Sequence, residues 1–102
     1  MIIIVTNWFP MNKSIEVGEK FFKLAGQPLP PVIKKWETYA TDDGLNGGKG
    51  YHIIKTEKDK GDEAIDLIRQ LMAPMATIEG FTFKTEILYG MKEAARLMKF
   101  MK

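Results

Sequence analysis

The chain contains no cysteine. Disulfides, zinc–thiolate sites and cysteine nucleophiles are therefore excluded, and the composition fits a reducing, cytoplasmic setting. A single histidine, His52, leaves no His cluster to hold a metal, and no metal or cofactor is expected. Long apolar runs are missing too. Met1–Val5 is only five residues and carries neither a basic flank nor a small-residue cleavage site, so neither a signal peptide nor a membrane span is expected. No charge sign dominates. With 15 basic and 13 acidic residues the net charge is +2, which argues against nucleic-acid binding from charge alone. Repeats, low-complexity tracts and internal linkers are absent, and 102 residues, 45% of them hydrophobic, predict one domain over 1–102.

What is present is an ordered set of periodic segments. Met1–Phe9 is β-branched and aromatic, apolar on both parities, and predicts a strand buried on both faces. Pro10 ends it. Asn12 or Ser14 is placed to cap a helix carrying Val17, Phe21, Phe22, Leu24 and Ala25, closed by Gly26 and the prolines at 28, 30 and 31. Val32–Ala40 predicts a second strand, with Trp36, Thr38 and Ala40 on one face and Ile33, Lys35, Glu37 and Tyr39 on the other. Thr41–Gly50, with four glycines, is expected to be a long, mobile hairpin loop. Gly50–Glu57 follows as the third strand. A second helix starts at Asp59 or Asp62, carries Ala64, Ile65, Ile68, Leu71 and Met72, and ends or kinks at Pro74. Phe81–Tyr89 is the fourth strand. Met91–Lys102 is a short basic helix whose Ala94, Ala95, Met98 and Met101 side is expected to dock on the domain.

This β-α-β-β-α-β order predicts an α+β, ferredoxin-like antiparallel sheet with two helices on one face. Ile2, Ile4, Trp8, Tyr51 and Ile53 then fall on the open face, and Asn7, His52 and Ile54 toward the helices. Burying each large apolar side chain is worth ~1.5–3 kcal/mol. An exposed patch of them predicts a partner, most simply a second copy sheet to sheet.

VTNWF at the end of the first strand, the Pro-rich connection before the Trp36 strand, and GKGYHIIKTEKD leading into the second helix occur here in a familiar order. Over roughly Ile2–Ala95 the chain resembles a family of short prokaryotic proteins defined only as a domain of unknown function, within the dimeric α/β-barrel group. The resemblance implies a subunit that forms a barrel with its twin, and implies no established activity. The longer loop at Leu45 and Asn46 and the basic, Met-rich last helix depart from that pattern.

Three functions remain open. The first is a homodimeric module that is structural or binds a small apolar ligand. The second is a cofactor-free, monooxygenase-like enzyme, since relatives in the barrel group carry an Asn on the first strand facing the helices. Here Asn7 would position a substrate oxygen and His52 would move a proton, with Trp8, Trp36 or Tyr51 as ligand-binding walls and the Gly-rich loop as lid. Against it, a lone histidine or a strand-end amide is more commonly structural. The third is single-stranded RNA binding. Lys49–Thr56 looks like the strand-three motif of RNA-recognition domains, yet Ile4 and Ile53 stand where bases would stack.

Overall fold

A computed structural model describes residues 1–101. It is α+β and ferredoxin-like, with strands β1 (Ile2–Phe9), β2 (Ile33–Asp42), β3 (Gly48–Thr56) and β4 (Thr82–Leu88). The helices are α1 (Ser14–Ala25), α2 (Gly61–Met72) and α3 (Met91–Met101). The sheet is antiparallel throughout, in the order β2-β3-β1-β4. β1 therefore lies between β3 and β4, but the expected burial on both faces is not met within the chain: Ile3 and Val5 are buried on the helix side, whereas Ile2 is exposed and Ile4 and Trp8 are half-buried on the other.

Strand alternation sorts the side chains. Ile3, Val5 and Asn7 of β1, and His52, Ile54 and Thr56 of β3, are buried on the helix side. α2 seals its part of that face with Ala64, Ile68 and Met72, spaced four apart on one stripe. α1 seals less. Only Val17 is fully buried, while Phe21 and Leu24 are half-buried and pack against the core.

Several expectations need correction. Asn12 and Ser14 do not cap α1: the chain enters it from a 3-10 turn at Met11–Lys13, and the Ser14 hydroxyl donates back to the Met11 carbonyl at 2.6 Å. Asp59 takes a left-handed turn conformation (φ 64°) ahead of α2, while Asp62 and Glu63 occupy the first turn, where the helix dipole favours acids. Ile33 does not oppose Trp36. A register shift between Ile33 and Lys35 turns both Ile33 and Trp36 toward the helices. The expected ten-residue hairpin loop shrinks to Asp43–Gly47, because β2 continues to Asp42 and β3 begins at Gly48.

α3 is not docked along its apolar side. Met91 and Met98 are 88% and 62% exposed, and among the described side chains of the helix only Glu93 and Ala94 are half-buried. The helix leaves β4, an edge strand, with Gly90 facing open space. The side chain of Met101, and Lys102, lie outside the described residues. No helix among the described residues is long and apolar enough to cross a membrane.

Candidate functional site

Asn7 and His52 come from neighbouring central strands and share the helix face. His52 pairs across with Val5 on one side and Thr38 on the other; Asn7 pairs with Gly50. The two side chains are thus diagonal neighbours, and both are essentially inaccessible, at 0% and 1% exposure.

Two glycines make this arrangement possible. Gly48 and Gly50 precede His52 on the same face of β3 and leave the backbone bare. The Phe9 ring fills the space a Cβ on Gly48 would need, and the Asn7 amide fills that of Gly50, where a Cβ would stand 2.6 Å from Oδ1. Glycine alternating within a strand is the sequence mark of such close approach. GKG carries it here, yet sequence reasoning assigned Gly48 to a mobile loop and Gly50 to the boundary between that loop and the third strand.

The indole N–H of Trp36 donates to His52 Nδ1 at 3.0 Å, and the Thr38 hydroxyl lies 3.1 Å from the same nitrogen. Indole is only a donor, so Nδ1 is unprotonated and, in the neutral ring, the proton resides on Nε2. Phe21 of α1 covers the imidazole at 4.6 Å between ring centres, and Trp36 meets it edge-on at 5.7 Å. Burial pushes the His52 pKa down to about 4, so the ring is neutral near pH 7.

Among the described residues, three buried side-chain polar atoms have no hydrogen-bond partner: Asn7 Nδ2, Asn7 Oδ1 and His52 Nε2. They lie at the floor of a cleft between α1 and the β2–β3 half of the sheet. One part, about 300 Å³, runs between Leu24, Pro28, Leu29 and Trp36; the other, about 760 Å³, runs past Asn7, Phe9, Val17 and Phe22. Phe21, Ala25, Thr38 and His52 line both parts, making them one elongated cleft. It exists because β2 is an edge strand that α1 does not reach. Thr38 and Ala40 are exposed although they face the helix layer.

Asn7, His52 and Trp36 are therefore brought together. Trp8 and Tyr51 are not. Alternation places them on the opposite face, where the Lys49 ammonium lies 5.4 Å from the Trp8 ring centre and 5.2 Å from that of Tyr51, and Trp8 Nε1–H donates to Asp43 at 3.2 Å. Sequence reasoning missed Thr38 and Phe21 as site residues; a single hydroxyl and a helix-stripe phenylalanine carry no distinguishing signal. No group of three or more His, Cys, Asp or Glu side chains is gathered as a metal ion would require among the described residues.

Comparison with known proteins yields no matching family model and no matching curated protein.

Proposed function

We propose that this chain is a small-molecule-binding module that receives its ligand in the cleft beneath α1. One observation carries the reading: the amide of Asn7 and the Nε2–H of His52 are buried, unpaired and at the cleft floor. An unsatisfied buried polar group costs ~1–3 kcal/mol. An apolar residue of similar size would avoid that cost, so packing alone gives no reason for Asn at position 7. Strain or cost of this kind concentrates where a ligand relieves it. In this reading His52 is a hydrogen-bond donor that orients a ligand oxygen. It takes no proton at the cleft, because its only free nitrogen already bears one.

The test is Asn7→Leu, which removes two orphaned polar atoms while keeping the volume. The variant should unfold at higher denaturant concentration, and its cleft NMR resonances should respond less strongly to polar small-molecule fragments. A variant that is destabilised by several kcal/mol, with fragment responses unchanged, would show Asn7 to be an ordinary structural amide.

The module acts, we propose further, as a homodimer through its open sheet face. Ile2 lies opposite Leu88 and Ile4 opposite Ile53 on that face, forming one contiguous patch, with Ile2, Leu88 and Ile53 being 42%, 43% and 38% exposed. Two pairs of charges on this face are matched within their own strands, Lys35 with Glu37 at 3.2 Å and Lys84 with Glu86 at 3.5 Å, while Lys55, opposite Ile2, has no ion-pair partner among the described residues. A second copy that covers the patch must therefore leave Lys55 at a wet rim or supply it with an acid. The central Ile4–Ile53 pair suits such a contact better than it suits stacked bases.

A further inference from the structure

The polar atoms at the cleft floor restrict the ligand more than its volume does. Asn7 presents a donor and an acceptor side by side, both unpaired. Only a group with an acceptor beside a donor satisfies both at once. An N–H next to a C=O, fixed cis in a ring, does so with two parallel hydrogen bonds. A carbonyl oxygen has two lone pairs, and the second can accept from His52 Nε2–H, the remaining orphan on the diagonally adjacent position.

Charge narrows the class again. Among the described residues no lysine or arginine lines the cleft, and Asp42 is the only charged residue on its wall. A carboxylate or phosphate entering here would lose its hydration with no counter-charge to replace it. The imidazole cannot supply that charge, because Trp36 and Thr38 already hold its other nitrogen as an acceptor. The walls are flat and apolar: Phe9, Phe21, Phe22 and Trp36 flank the polar floor.

Taking the cleft as the binding site proposed above, we infer that its ligand is a neutral, flat heterocycle with a lactam edge, its N–H and C=O paired to the Asn7 amide and its ring body held between the aromatic walls. The polar edge enters first and sits deepest. The ring face lies toward α1.

Four probes separate the possibilities: 2-quinolone, N-methyl-2-quinolone, naphthalene and quinoline-2-carboxylate. Each is titrated into the 15N-labelled chain and into Asn7→Leu. The expected result is that 2-quinolone binds at least tenfold more tightly than its N-methyl analogue, and that this ratio falls to near one in the variant. Should the variant fail to fold, the Asn7 side-chain amide signals of the wild-type chain carry the same test. They should shift with 2-quinolone and stay still with naphthalene. If N-methyl-2-quinolone or the carboxylate binds as tightly as 2-quinolone, the lactam assignment is overturned while the cleft remains a binding site. If none of the four moves any cleft resonance, the binding reading falls and the assignment with it.

Discussion

The amide of Asn7 lies directly on Gly50: a Cβ built on that glycine would stand 2.6 Å from Oδ1 and 3.1 Å from Nδ2. The two residues face each other in the β1–β3 ladder, so the contact is fixed by register rather than by a flexible side chain reaching across. Gly50 is in effect part of the site, since its missing side chain is what lets the amide reach the cleft floor.

Gly50→Ala should therefore displace Asn7. Overpacking of this kind costs ~1–3 kcal/mol. Thermal unfolding should show the loss, and the Asn7 side-chain amide resonances should move. An alanine variant as stable as the parent, with those resonances unchanged, would mean the amide can shift freely and is not held by β3.

Stability should depend on pH through His52. Its folded pKa, about 4, lies below the ordinary value of 6.5 because burial penalises the imidazolium. Between those two values the unfolded chain binds a proton that the folded chain refuses. Stability is then complete above about pH 6.5, falls as the pH drops toward 4, and levels off below that as far as this residue is concerned. Two to three pKa units amount to about 3 kcal/mol. Urea unfolding across this range should show the slope, and His52→Gln should flatten it.

Trp36→Phe keeps the ring beside His52 and removes the N–H that donates to Nδ1. The loss should be ~1 kcal/mol, typical of one hydrogen bond. The more specific readout is the pair of imidazole 15N shifts. In the parent chain they should report a proton on Nε2. In the variant, with only the Thr38 hydroxyl left at Nδ1, the tautomer balance should move toward Nδ1–H. Unchanged shifts would mean that Trp36 does not set the tautomer.

Ile4→Glu would place a carboxylate at the centre of the open face, opposite Ile53. If that face joins two copies, light scattering should show the parent at twice 11.6 kDa and the variant as a monomer or as insoluble protein. A soluble dimer that survives the substitution would remove this face as the contact.

Sequence alone determined the order of elements and the face on which most side chains of β1 and β3 fall. These are local properties. The period of two along a strand is set by covalent geometry, and it alone sorts the side chains of β1 between the two faces. Asn7 and His52 could be assigned to one side on that basis. Tertiary structure decided the rest. The irregularity after Ile33 brings Ile33 onto the face of Trp36, Thr38 and Ala40 instead of the opposite one, because one extra residue in a strand exchanges its faces. The β2–β3 register sets Trp36 beside His52, where its N–H fixes which imidazole nitrogen bears the proton. The bareness of the β2 edge, the glycine floor beneath Asn7 and the undocked α3 depend on how far each helix reaches over the sheet. Periodicity names the face a helix turns inward but not the area that face covers, and the cleft is the area left uncovered.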